Sequence, residues 1–174
     1  VMSIEMDAMG RTYVCGYFYN TATFGNFTLS SYGSYDIFVG RLSNGVWDWV
    51  QKAGGTNSDQ CHDIAVDDGG NITITGYYYS SSGANFGSQS MSGQGSNDIF
   101  ISRLDTNGNW IWSKSAGGSS ADYGYGVAMD NSGNAYLTGY YYNTGYFGSI
   151  TLSAYSYDEA FLAKLDNTGN FVWA

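Results

Sequence analysis

The stretch TGYYYSSSGANFG, residues 75–87, has two close counterparts in the chain: CGYFYNTATFG at residues 15–25 and TGYYYNTGYFG at residues 138–148. Each copy places three aromatic residues after a glycine and closes the segment that follows with Phe-Gly. A string this specific does not occur three times by chance. The chain is therefore built from copies of one unit.

Other landmarks recur with the same spacing, among them a tryptophan at the end of each copy: Trp49, Trp112 and Trp173. Self-similarity at a period of this size is typical of repeat architectures. We divide the 174-residue chain into three repeats, called units one, two and three: residues 1–63, 64–126 and 127–174.

Within a unit the hydrophobic periodicity is two, and short β-rich segments alternate with Gly- and Asn-containing turns, which predicts hairpins and no helix. In unit two the predicted strands A to D are Ile64–Val66, Asn71–Tyr79, Asp98–Leu104 and Trp110–Ser115. Four antiparallel strands per repeat are typical of a propeller blade. The prediction is an all-β chain, residues 1–174, forming a single β-propeller or propeller segment of three four-stranded antiparallel blades of about 60 residues each.

Alternation along strand B separates the three rings of each GYYY-like triplet. The middle rings, Phe18, Tyr78 and Tyr141, share the aliphatic face and are predicted to pack between blades. The last rings, Tyr19, Tyr79 and Tyr142, precede the long B-to-C connections. A closed propeller needs about 4 to 8 blades, so we expect further blades or a second copy of the chain to complete a larger or oligomeric propeller.

The run ADYGYGVAMDNSGNAYLTGYYYNTGYFG, from Ala121 to Gly148, resembles the bacterial SBBP-type β-propeller repeat. The other two copies match less fully, with Gly10-Arg11 where the pattern has Gly-Asn and Cys15 where it has Thr. The resemblance implies a propeller in a large exported bacterial protein, hence an extracellular or cell-surface location, and it does not imply any enzyme activity.

The net charge of −9 and only six Lys and Arg residues disfavour nucleic-acid binding, which needs a basic surface for phosphates. No apolar run approaches the ~20 residues that span a bilayer, so no membrane insertion is expected.

Catalysis by a triad needs a base, and the single histidine, His62, falls in a predicted loop between units one and two. The acids Asp36, Asp98 and Glu159 follow the repeat, as structural residues do, whereas a catalytic pair would break it. We predict no catalytic residues and no enzyme; a hydrolase or lyase on this fold is the third hypothesis. A single Asp36→Asn or Asp98→Asn change that abolishes turnover would rescue it.

No metal site or cofactor is predicted, because the acidic turns lack the ligand spacing of a calcium loop; calcium at these turns stays an alternative. Cys15 and Cys61 fall at the same rim of neighbouring units, where a disulfide and two free thiols are both open.

The B-to-C connections are the long ones and are rich in Ser, Gly, Asn, Tyr and Phe, a mixture that suits recognition. Six apolar residues are predicted to fold these connections back onto the blades: Phe24, Phe86, Phe147, Leu29, Met91 and Leu152. The binding candidates on this rim are Tyr19, Asn20, Tyr79, Ser80, Tyr142 and Asn143.

The predicted function is a non-enzymatic module of an exported or cell-surface bacterial protein, acting as scaffold, adhesin or assembly surface for a protein partner. The alternative is a carbohydrate-binding, lectin-like propeller whose rim Tyr and Trp rings stack on a glycan.

Overall fold

The computed structural model describes all residues from 1 to 174 and contains fourteen strands and no helix, as predicted. No helical segment is therefore available to cross a membrane. The strands are β1 (Ser3–Met6), β2 (Thr12–Phe24), β3 (Phe27–Ser43), β4 (Val46–Gly54), β5 (Gln60–Val66), β6 (Ile72–Tyr79), β7 (Ala84–Phe86), β8 (Gln89–Met91), β9 (Asn97–Leu104), β10 (Trp110–Ala116), β11 (Tyr123–Met129), β12 (Ala135–Phe147), β13 (Ile150–Leu165) and β14 (Phe171–Trp173).

The strands form three antiparallel sheets, and each sheet is built mainly from one unit. The orders are β1-β2-β3-β4-β7-β8, β10-β9-β6-β5 and β11-β12-β13-β14. The first sheet has six strands rather than the four expected, because the β7–β8 hairpin of unit two leaves its own sheet and pairs with β4. Consecutive units are therefore joined by backbone pairing as well as by side-chain packing.

The B-to-C connections are hairpins rather than loops. In unit one, β2 and β3 stay paired from Thr21↔Ser30 to Phe24↔Phe27, beyond a bulge after Tyr19. Unit three repeats this arrangement from Thr144↔Ser153 to Phe147↔Ile150. The predicted folding back of these connections is confirmed for Phe86 and Phe147, which are fully buried.

Two hydrophobic cores fill the spaces between successive sheets. The first packs Tyr13, Ile37 and Val39 of unit one against Ile74 and Tyr78 of unit two. The second core packs residues of units two and three in the same way: Ile99, Ile101, Leu137, Tyr141 and Phe161. Tyr78 and Tyr141 are thus buried between sheets, as predicted.

Phe18 differs from these two counterparts. It belongs to a small cluster with Phe38 and Val50 that contacts only residues of its own sheet, such as Phe24 and Trp47. The outer face of the first sheet therefore has no sheet packed on it, although it carries the same kind of residues as the covered faces.

The far face of the third sheet is open as well. Trp49 and Trp112 are 9% and 7% exposed, and their indole N–H groups donate to Thr106 O and Asn167 O of the next unit, both at 3.2 Å. The equivalent Trp173 is 40% exposed. One face at each end of the three sheets is therefore not covered by another sheet.

Acidic turns close the tight hairpins by hydrogen-bonding to their own backbone. In the turn at Asp130, the carboxylate accepts the Ser132 and Asn134 amides at 2.9 Å, and Gly133 has a φ of 77°. The carboxylates of Asp67, Asp105 and Asp166 likewise accept the amide four positions further on. These residues act as turn braces, for which glycine supplies the positive φ.

Repeat-equivalent arginines tie one unit to the next. Arg41 donates to Thr106 O at 2.5 Å, and Arg103 donates to Gly133 O at 2.6 Å while pairing with Asp67 at 2.6 Å. The charges that follow the repeat are therefore structural here.

Candidate interaction surfaces

The predicted rim residues lie together at the ends of the sheets where the B-to-C hairpins begin, but they are not equally accessible. Tyr19 is 55% exposed. Tyr79 and Tyr142 are half-buried, and Ser80 is buried, with its hydroxyl donating to Ser96 O. Ser80 is therefore not placed to contact a partner directly.

Asn20 and Asn143 are exposed residues at the bulges of β2 and β12, with φ of 58° and 57°. Asparagine tolerates this left-handed conformation better than most residues. Backbone geometry alone explains why asparagine occupies both positions. Asn143 Nδ2 donates to Ser120 Oγ at 3.2 Å, so its amide is already engaged within the chain.

Six rings from the second and third sheets form a continuous aromatic surface, which we call the rim cluster: His62, Tyr77, Tyr123, Tyr125, Tyr140 and Tyr142. Tyr125 stacks on His62 with centroids 4.9 Å apart and an interplanar angle of 7°. Tyr123 lies 5.1 Å from both Tyr77 and Tyr140, and Tyr142 follows at 5.7 Å from Tyr140. Tyr125 is 48% exposed, so the cluster has an accessible face.

The environment of the cluster favours neutral groups. Burial lowers the pKa of His62. The hydrogen bond between its Nδ1 and Gly124 O, at 2.8 Å, raises the pKa by a smaller amount. Burial also raises the pKa of Tyr77 and of Tyr140. These three side chains are therefore uncharged at neutral pH and offer ring faces and hydrogen-bonding groups rather than charge.

The predicted loop position of His62 is wrong. The residue lies in β5 and is half-buried between Tyr77 and Tyr125. Its Nδ1 hydrogen-bonds to Gly124 O at 2.8 Å. Sequence reasoning missed Tyr123 and Tyr125 because both precede residue 127, the predicted start of unit three, whereas β11 begins at Tyr123.

Four buried carboxylates form two repeat-equivalent pairs at the junctions between sheets. Asp36 and Asp59 flank Gly54, and Asp98 and Asp122 flank Gly117. Burial raises the pKa of Asp59 and of Asp98 to about 7, with a further rise from the partner carboxylate, and burial also raises the pKa of Asp36 and of Asp122. Oδ1 of Asp36 and Oδ1 of Asp98 are buried without a hydrogen-bond partner.

The predicted structural acids share one local role. Asp36, Asp98 and Glu159 each accept the backbone N–H of the residue four positions earlier, at 2.9, 2.8 and 2.6 Å. Asp59 and Asp122 brace the next segment by accepting two backbone amides each. No group of three or more His, Cys, Asp or Glu side chains assembles into a metal-binding set.

Cys15 and Cys61 are free, fully buried thiols in the core between units one and two. Burial and the adjacent Cys15 raise the pKa of Cys61. The two residues predicted as a possible disulfide are thus neighbours, unbonded in this structure.

The hairpins of units two and three dock on the outer strand of the unit before them. In unit two the pairing is Ala53↔Phe86 and Gly54↔Asn85. In unit three Gly117 and Tyr146 exchange two backbone hydrogen bonds, of 3.1 and 2.8 Å. An Ala-Gly-Gly segment is therefore the docking point in both cases, at residues 53–55 and 116–118.

The glycines of this segment are required by the docking. Gly54 and Gly117 have φ of 148° and 135°, which other residues rarely adopt. A Cβ on Gly55 would overlap the Gly83 carbonyl oxygen, and a Cβ on Gly118 would overlap that of Thr144. Only a strand that ends in two glycines fits beneath such a hairpin.

Comparison with known proteins agrees with this repeat organisation. Residues 111–140 match the SBBP family, a beta-propeller repeat. The expected resemblance is confirmed for this segment, which runs from β10 into the triplet of β12.

The chain is also similar to the uncharacterized WD repeat-containing protein L264 of Acanthamoeba polyphaga mimivirus. The two are 29% identical over 126 residues, which covers 64% of this chain and 9% of that protein. The chain thus spans less than a tenth of the length of this relative.

Proposed function

We propose that the three sheets are blades of a larger β-propeller and that the chain is a non-enzymatic interaction module of an exported or cell-surface bacterial protein. The SBBP match and the similarity to a WD repeat-containing protein support a propeller that binds other molecules. The repeat-equivalent acids support the absence of catalysis, because each is engaged with backbone amides.

We infer that the partner binds at the rim cluster. The observation that carries this proposal is the contiguity of its six rings, which come from two sheets and share one accessible face around Tyr125. Tyrosine supplies large contact area at a low entropic cost and is enriched in recognition surfaces.

A carbohydrate partner is the second candidate. Uncharged rings with phenol groups at their edges suit the apolar faces and hydroxyls of a sugar. The neutral state of His62 and the hydrogen bond from Asn97 Nδ2 to the Tyr123 hydroxyl, at 2.9 Å, favour an uncharged ligand.

The test is a pair of binding screens, one on a glycan array and one with a phage-displayed peptide library, each run with wild type and the Tyr125→Ala variant. The matched control is Tyr32→Ala, which removes an exposed rim ring of unit one outside the cluster. We expect competable binding that falls at least tenfold in Tyr125→Ala and is unchanged in Tyr32→Ala. Binding that is unchanged in Tyr125→Ala would overturn the proposal, and so would the absence of binding in both screens.

A further inference from the structure

The distal hairpin of unit one lacks the strand on which its two counterparts dock. We call residues 21–30 the first hairpin; it comprises Thr21–Phe24 of β2 paired with residues 27–30 of β3. In units two and three the equivalent hairpin pairs with an Ala-Gly-Gly segment. The first hairpin pairs only with itself, so its outer edge is open.

The first hairpin is already folded in the docking-competent shape. The Phe24 ring packs on Phe38 and Trp47, with ring centroids 4.7 and 5.3 Å apart. In the docked hairpin of unit three, the Phe147 ring packs on Phe161 and Phe171, with ring centroids 4.7 and 5.7 Å apart. The same internal packing thus forms with and without a docked strand, which indicates that the edge is preorganised.

Equivalence with Tyr146 identifies the backbone groups of this edge. Tyr146 uses both its N–H and its C=O on Gly117, and Thr23 holds the same position, one residue before the Phe-Gly pair. The Thr23 amide and carbonyl therefore point away from β3. Exposed strand edges of this kind bind extended segments by β-augmentation.

We propose that the first hairpin is a β-augmentation site for the outer strand of another SBBP-type repeat, one that ends in Ala-Gly-Gly. The two docked hairpins identify this partner, because the strand they pair with ends in Ala-Gly-Gly each time. A side chain on the last glycine would overlap the hairpin backbone. The adjoining open face, with Phe18, Phe38 and Val50, continues the same surface.

A second copy of these 174 residues does not supply this partner. Its two Ala-Gly-Gly segments are already paired with its own hairpins. The partner is a different repeat whose outer strand is free. The inference rests on the proposal that the units are blades, but not on any ligand at the rim cluster.

The experiment measures binding of a fluorescent peptide with the sequence of residues 110–119, WIWSKSAGGS, to the full chain. We expect saturable binding and slower hydrogen exchange at the Thr23 amide. A peptide in which both glycines are alanine is expected to bind at least tenfold more weakly. In the docked hairpins a methyl group on the second glycine overlaps the hairpin carbonyl, and the first glycine has a φ that alanine rarely adopts.

Two protein variants provide the matched comparison. Thr23→Pro removes the outward N–H, which an edge strand tolerates, and is expected to weaken binding at least tenfold. Thr23→Val keeps the N–H and is expected to bind as wild type. Equal binding by Thr23→Pro, or by the alanine peptide, would overturn the inference, and so would the absence of binding.

Hydrogen exchange distinguishes failure of the β-augmentation proposal from failure of the proposed blade arrangement. Slow exchange at Tyr146 and Gly117 without peptide binding would refute the inference alone. Fast exchange at both amides would refute the docking of consecutive units. Peptide binding that depends on Tyr125 rather than Thr23 would assign the peptide to the rim cluster.

Discussion

Asp98 Oδ1 and Asp122 Oδ2 each lie 2.7 Å from the point where a Cβ on Gly117 would stand. The two carboxylates thus approach the same point at the junction between the second and third sheets, and Asp98 Oδ1 is buried without a hydrogen-bond partner. Burial raises the pKa of Asp98 to about 7. Repulsion from Asp122 adds to this rise, and protonation of Asp98 removes the repulsion between the two buried carboxylates.

The first prediction concerns pH. A raised carboxyl pKa means that the folded protein holds a proton that the unfolded chain releases, so this contribution to stability is complete below about pH 4 and is lost as pH rises to about 7. We expect the free energy of unfolding to fall over this range. Asp98→Asn is expected to be more stable than wild type at pH 8, by about 1–3 kcal/mol, as measured by urea titration.

The control for the pH prediction is Asp130→Asn. Hydrogen bonds with Asn134 and neighbouring amides lower the pKa of Asp130 to about 2, so its contribution is present at neutral pH and is lost only in acid. This variant should be less stable than wild type at pH 8. A loss of stability in Asp98→Asn at pH 8 would contradict the cost assigned to the ionised, buried Asp98 carboxylate.

The second prediction concerns the docking glycines. Gly118→Ala should destabilise the protein by about 2–4 kcal/mol, because the new methyl group overlaps the Thr144 carbonyl oxygen. Gly10→Ala, at a turn with open space and a φ of 76°, should cost only about 1–2 kcal/mol from its backbone conformation. Chemical denaturation compares the two, and equal costs would show that hairpin docking is not tight.

The third prediction uses the repeat as its own control. Trp112→Ala should cost about 3–5 kcal/mol, as expected for a buried ring, and should also lose the bond to Asn167 O. Trp173→Ala, at the equivalent exposed position, should cost about 1 kcal/mol or less. Thermal unfolding measures both variants. Similar losses would mean that the far face of the third sheet is covered in solution.

The fourth prediction concerns the thiols. Cys15 and Cys61 are completely buried, and a raised thiol pKa leaves Cys61 protonated and unreactive at neutral pH. A thiol-reactive dye should label neither residue in the native protein and both in urea. Rapid labelling of the native protein would contradict the burial, and failure to label both in urea would reveal a disulfide.

Local patterns were sufficient to predict the strands and their faces. Alternation placed Tyr78 on the buried face of strand B, and the Asp-to-Gly turns marked the tight hairpins. These features depend on neighbours within a few residues. The predicted strands of unit two correspond to β5, β6, β9 and β10.

Contacts between units were harder to predict. The pairing of Asn85 with Gly54 crosses from one unit to another, and no local pattern specifies it. His62 acquires its stacking partner, Tyr125, from a strand that begins some sixty residues later. A loop and a strand cannot be distinguished at such a position without knowing what packs against it.

The docked hairpins determine the order in which the sheets can be completed during synthesis. The first sheet is completed only when β8 has been made, at Met91, although β4 ends at Gly54. Ribosomes synthesise proteins from the amino terminus, so each sheet waits for the next unit to emerge before its outer strand is capped. Completion of each sheet therefore depends on residues that are synthesised later. A translational pause within unit two would leave the outer strand of unit one, β4, without its paired hairpin.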